Sequence, residues 1–158
     1  MPDTIRVRLV ERQPLAFWQR NNKLVLVDAE GAVLATDHLD GYGTLLVLVG
    51  DDAPAQCGAL RDILTTEAGL AARVEAAVRV GGRRWNLRLD NGLEIELPEL
   101  DATAAWHRLA EAEQFSHILE RNILSVDLRL PDRLGVRLVP EPPKEATVKK
   151  ARPGAKST

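Results

Sequence analysis

Arg129 and Gly135 are the residues whose type and spacing in this chain point most directly to recognition chemistry. They lie in Ser125-Val-Asp-Leu-Arg-Leu-Pro-Asp-Arg-Leu-Gly-Val-Arg-Leu138, where Val126, Leu128 and Leu130, then Leu134, Val136 and Leu138, alternate with polar residues. That is the period of a half-buried strand, so the stretch is expected to be a hairpin. Matching the apolar sets places Leu130 opposite Leu134, Leu128 opposite Val136 and Val126 opposite Leu138, with Pro131-Asp132-Arg133 as the loop. On the other face the same register sets Asp127 opposite Arg137 and Arg129 opposite Gly135. An arginine above a bare glycine is either a solvated strand arginine or a guanidinium open to fork onto a carboxylate of another chain. No strand-like run follows Leu138, so the second strand is expected at a sheet edge, where unpaired backbone groups are either protected or used for binding.

Catalytic chemistry has no comparable footing. There is no Ser-x-x-Lys, Gly-x-Ser-x-Gly, phosphate loop or His-Glu-x-x-His. The lone Cys57 allows no internal disulfide and no metal spacing, and reads as a small core side chain. His107 and His117 are ten positions apart on one expected helix, about 15 Å along its axis, so they are no metal pair. His38 falls in a loop. No catalytic residue, metal or cofactor is expected.

The elements that must carry the hairpin are legible along the chain. Thr4 to Val10 alternates as a first strand, and Pro14 marks an edge or strand exit before the anchors Phe17 and Trp18. Lys23 to Val27 and Ala32 to Leu34 flank the turn Asp28-Ala-Glu-Gly31, and Thr44 to Val49 reads as a strand buried on both faces. A helix is expected from about Asp51 to Gly69 with Cys57, Leu60, Ile63, Leu64 and Ala68 as its core stripe. Val74 to Val80 alternates as a strand turned by Gly81-Gly82. In Arg84 to Leu97 only a three-residue loop, Asp90-Asn91-Gly92, pairs apolar with apolar: Leu89 with Leu93, Leu87 with Ile95, Trp85 with Leu97. A second helix is expected from Asp101, as N-cap, to about Asn122, with Trp106, Leu109, Phe115, Ile118 and Leu119 on one broad apolar side. The fold class is therefore α+β, a mostly antiparallel twisted sheet built of hairpins with two helices packed against it.

Composition fits one globular domain: 45% hydrophobic and 28% charged residues, with a net charge of −2. That charge gives no footprint for nucleic acid. No run of about eighteen apolar residues occurs and Met1-Pro-Asp-Thr is followed by no apolar signal region, so neither a span nor a targeting signal is expected in this stretch. Residues 140–158, rich in proline and lysine, read as a disordered tail.

Ile-Arg-Val-Arg-Leu-Val-Glu-Arg-Gln-Pro-Leu-Ala-Phe-Trp18, then Leu-Val-Asp-Ala-Glu-Gly31, Arg-Arg-Trp-Asn-Leu-Arg-Leu-Asp-Asn-Gly92 and Ser-Val-Asp-Leu-Arg129 follow one another in the order found in the bacterial division family FtsQ/DivIB, which the chain resembles from Pro2 to Val139. The resemblance implies residues 1–18 as the last strand of an upstream POTRA domain and junction, 19–139 as the family's β-domain, and 140–158 as the tail. It implies a non-enzymatic divisome scaffold at the periplasmic face of the inner membrane, anchored through a segment absent from this chain. It further implies that FtsB, of the FtsB-FtsL pair, adds a strand at the terminal edge, linking the scaffold to other divisome components and septal peptidoglycan synthesis. The surface so implied is Leu128, Arg129, Leu130, Leu134, Gly135, Val136, Arg137 and Leu138, with Leu130 standing where the family member compared carries an aromatic. Two other classes remain open on the residues alone: a general envelope-binding module for peptidoglycan or lipid headgroups, using the basic tail, and an envelope enzyme.

Overall fold

The structure is a computed structural model that describes residues 5–9 and 11–141. Its strands are β1 (Ala16–Arg20), β2 (Lys23–Val27), β3 (Val33–Ala35), β4 (Leu46–Val49), β5 (Val74–Val80), β6 (Arg84–Leu89), β7 (Glu94–Glu96), β8 (Ile123–Asp127) and β9 (Gly135–Leu138). They form one nine-stranded sheet in the order β3-β2-β1-β4-β5-β6-β7-β8-β9. Its helices are α1 (Ala53–Leu64), the short α2 (Ala68–Ala71) and α3 (Ala102–Ser116).

The sheet is mixed, with hairpins dominating. Five neighbouring pairs are antiparallel, and β1/β4, β4/β5 and β7/β8 are parallel. The β4/β5 and β7/β8 pairs are the two that the long helices bridge, because a parallel pair needs a crossover that returns the chain to the same end.

Side-chain alternation gives the sheet two unlike faces. Val25, Trp18, Leu48, Ala77, Leu87, Ile95, Val126 and Val136 form one unbroken cross-strand row. Leu48 to Val126 in that row are fully buried and belong to the core cluster shared with Cys57, Leu60 and Leu64 of α1 and Trp106 and Leu109 of α3. The opposite face carries Ala35, Leu26, Phe17, Val47, Ala76, Arg88, Glu94, Ser125 and Arg137 in register. It is apolar from β3 to β5 and polar from β6 to β9. Phe17 and Leu26 are buried there, outside the main cluster.

The β6/β7 hairpin has the expected register. Leu87 faces Ile95 and Arg88 faces Glu94, and Leu89 N–H donates to Leu93 O at 2.9 Å. Gly92 supplies the positive φ of 81° that this three-residue turn needs. The β2/β3 turn is seated on α1. Gly31, at φ 82°, comes so near that an added Cβ would lie 2.5 Å from Pro54 O, and the Cys57 thiol donates to Asp28 O at 3.1 Å. Burial pushes that thiol's pKa up, which keeps it protonated and able to donate.

Several expectations are corrected. Residues 5–9 form no strand, and Ile5, Val7 and Leu9 are all at least 80% exposed: alternation alone makes no strand where no described neighbour pairs with it. α1 ends at Leu64 and gives way to a 3-10 turn and α2, so Leu70 is buried where Ala68 was expected. α3 stops at Ser116, six residues short of Asn122, because His117 turns left-handed at φ 47° and a 3-10 turn follows. Asp101 occupies the N-cap position without a side-chain capping bond. Phe115 is 88% exposed, since nine residues past Trp106 places it half a turn away from the core stripe. The proposed tail lies outside the described residues from 142 onward.

Candidate functional site: the β9 edge

β9 is the last strand of the sheet order and, among the described residues, pairs only with β8. Its register differs from the expected one by two residues: Val126 faces Val136, Asp127 faces Gly135 and Ser125 faces Arg137. A bulge between Ile123 and Ser125 then brings Ile123 opposite Leu138. A two-residue shift keeps every side chain on its face, so the apolar pattern cannot distinguish the two registers. What selects the observed one is local. Asp127 Oδ1 accepts the Arg129 N–H at 2.9 Å, turning the chain out of the strand, and Pro131 has no donor to extend the ladder.

The pairing of Arg129 with Gly135 is therefore not formed, and the guanidinium is not free. Arg129 Nε and Nη2 donate to both oxygens of Asp127 at 2.9 and 2.6 Å, and Nε lies 3.3 Å from Glu96 Oε2 on β7. The Asp127 hydrogen bonds, with Glu96 beside them, raise the Arg129 pKa, and the same bonds hold the Asp127 carboxyl below its usual range against the opposing effect of burial. Arg129 is thus a clamp across the parallel β7/β8 pair.

The other expected residues divide by burial. Leu128 is fully buried and donates its N–H to Glu96 O at 3.0 Å, so it belongs to the core and offers no contact surface. Leu134 packs partly buried against the same core. Leu130, Val136 and Leu138 are 49%, 41% and 69% exposed, and Arg137 is exposed without an ion pair among the described residues. Gly135 is half-buried, and a Cβ there would meet Asp127 Cβ at 3.3 Å. Those five positions and the glycine are brought together on one edge.

Backbone direction follows from one bond. Val139 N–H donates inward to Asn122 O. Successive residues of a strand present their amides to opposite sides, so Arg137 and Gly135 bond toward β8 while Val136 and Leu138 present N–H and C=O outward.

One residue missed by sequence reading organises the loop. Arg108 on α3 donates to the carbonyls of Leu128 at 3.3 Å and Leu130 at 3.1 Å, and also to that of Pro131. Its only sequence signal is an arginine on the polar flank of an otherwise apolar helix. The adjoining cleft, about 640 Å³, sets Arg83, Arg84, Arg108 and Arg129 against Glu99 and Asp101. Among the described residues no group of His, Cys, Asp and Glu could hold a metal ion.

Residues 16–129 match the model of the C-terminal region of the cell division proteins FtsQ and DivIB. The chain belongs to the FtsQ/DivIB cell division family. It is 41% identical over 147 residues to the cell division protein FtsQ of Rhizobium meliloti, an alignment covering 93% of this chain and 48% of that protein. It is 34% identical over 137 residues to FtsQ of Caulobacter vibrioides, covering 87% of this chain and 45% of that protein. The chain thus spans about half the length of these relatives. The major extracytoplasmic domain of DivIB from Geobacillus stearothermophilus aligns over 69% of this chain and 98% of its own at 15% identity and a TM-score of 0.43. Membership therefore rests on the sequence matches. β9 lies beyond the matched family region. No helix among the described residues is long and apolar enough to cross a membrane.

Proposed function

We propose that this chain is the periplasmic β-domain of a non-enzymatic division scaffold that takes up a strand of FtsB, from the FtsB-FtsL pair, on the outer side of β9. The observation that carries this reading is the edge itself: Val136 and Leu138 direct backbone donors and acceptors outward, and their apolar side chains stand exposed beside them. Such an edge supplies main-chain affinity to an extended segment, while its side chains select the segment. Family membership supplies the context of division. On this reading the whole protein is anchored in the inner membrane by a segment upstream of this chain, residues 1–18 continue from a POTRA domain, residues 140–158 are a dispensable tail, and the scaffold links FtsB-FtsL to other divisome components and to septal peptidoglycan synthesis.

Val136→Pro removes an outward N–H at an edge position that tolerates proline. Calorimetry against the periplasmic FtsB-FtsL pair of the same bacterium should show binding by the wild-type chain and none by the variant, with circular dichroism unchanged. Equal binding by both would place the partner elsewhere.

A further inference from the structure

The sheet's polar face runs in two rows toward the edge, and only one ends in an unsatisfied charge. In the row Asn86, Glu96, Asp127, Gly135 the two carboxylates are neighbours, and the Arg129 guanidinium lies against both. Arg84 adds further positive field at Asp127. That row ends at a glycine, with its charges already matched. In the row Arg88, Glu94, Ser125, Arg137, Arg88 faces Glu94, whose carboxylate also accepts from Asn86 Nδ2 at 2.7 Å. Ser125 is only 5% exposed, and it lines a small notch with Glu96, Asp127, Gly135, Val136 and Arg137. The row thus ends in the Arg137 guanidinium, which makes no ion pair among the described residues.

We infer that Arg137 is the charge with which the edge reads its partner, and that the added strand carries a carboxylate opposite it, flanked on both sides by apolar residues. This rests on the strand-addition reading above. The flanking pattern follows from geometry. Val136 and Leu138 point to the helix face and are exposed and apolar, so the residues registered with them must be apolar to extend the covered row, while the residue between them lies on the polar face against Arg137. Because Val136 bonds outward, Arg137 forms a non-hydrogen-bonded pair with an antiparallel newcomer, the pair type in which facing side chains come closest. An opposite charge there is favourable and a like charge unfavourable. Main-chain bonds accept a strand in any register, so this apolar–acidic–apolar triplet fixes which register is used. Arg129 serves as a positioning residue whose guanidinium matches the charges of Asp127 and Glu96 beside the edge.

The test uses the whole chain and the periplasmic FtsB-FtsL pair. R137E should weaken binding on the order of tenfold or more, and R137Q should flatten the salt dependence of the association rate, because a steering charge is gone. Each acidic residue of the FtsB periplasmic segment is then changed singly to lysine. One of these variants, with apolar residues on both sides of the site, should restore affinity to R137E. If V136P abolishes binding while R137E, folded by circular dichroism, binds like the wild type, Arg137 is not the reader and the edge recognises backbone alone. Restoration at a site lacking apolar flanks overturns the register. Failure of the wild-type chain itself to bind overturns strand addition, and the inference with it.

Discussion

Trp106→Ala tests how the helices are joined to each other. Trp106 is fully buried on α3, and its indole N–H donates to Leu64 O at the end of α1 at 3.3 Å. Leu64 is also where the 3-10 turn after α1 begins, so this bond ties α3 to the junction at the end of α1. Truncation withdraws on the order of 150 Å² of apolar surface, which at about 25 cal/mol per Å² is about 4 kcal/mol. The lost indole hydrogen bond adds about 1 kcal/mol. The expected loss is therefore ~4–5 kcal/mol, at the upper end for tryptophan truncation. Trp106→Phe keeps most of the area, loses the bond, and should cost about 1–2 kcal/mol. Urea denaturation followed by circular dichroism measures both, with unchanged slopes showing that only stability has moved. A loss below about 1.5 kcal/mol for the alanine variant, or equal losses for both variants, would mean that the indole neither fills the core nor bridges the helices.

Other expected outcomes follow from the same geometry. Trp85, 5% exposed on β6 in the same core, should cost about 3–5 kcal/mol on truncation to alanine, measured in the same urea series. Gly31→Ala should destabilise by more than about 2 kcal/mol, because the added Cβ meets both a left-handed backbone and Pro54 O; a thermal melt reads it. Asp28 is buried, and Arg12 together with the N–H groups of Glu30 and Ala32 holds its carboxyl below the usual range, as Arg129 does for Asp127. Since both folded pKa values are depressed, the stability they contribute is present above the ordinary carboxylate range and is lost as pH falls through the folded values. Acid titration of Asp28→Asn should show a shallower fall than the wild type. Arg108→Ala should free three loop carbonyls, speed hydrogen exchange in residues 128–134, and cost about 1–3 kcal/mol.

The two hairpins show what alternation can and cannot determine. In β6/β7 a register shift of one residue would set Leu89 against Glu94, so the pattern alone selects the loop. In β8/β9 the apolar residues at 126, 128, 130, 134, 136 and 138 fit two registers equally well, and the choice falls to the Asp127 turn and the Arg129 clamp. The edge position was legible because nothing strand-like follows Leu138, whereas the charge pairing at that edge was not: opposing Arg129 to Gly135 made a guanidinium look free that Asp127 holds. The parallel pairs had no periodic signature, since β4 and β7 are short and their neighbours are set by where α1 and α3 return the chain. Phe115 and the His117 break were missed because an apolar count over a helix end does not register half a turn of phase or a left-handed residue.

From β5 onward every strand lies beside the one that precedes it in the chain. The sheet is thus laid down in one direction, ribbon by ribbon, each new strand templated on the last, mostly through contacts close in sequence that carry little loop-closure cost. β9 is the final layer of that growth and stands to an incoming strand as β8 stands to β9. Its amides should exchange earliest among the strands from β4 to β9, and a partner that completes the next layer should slow them first.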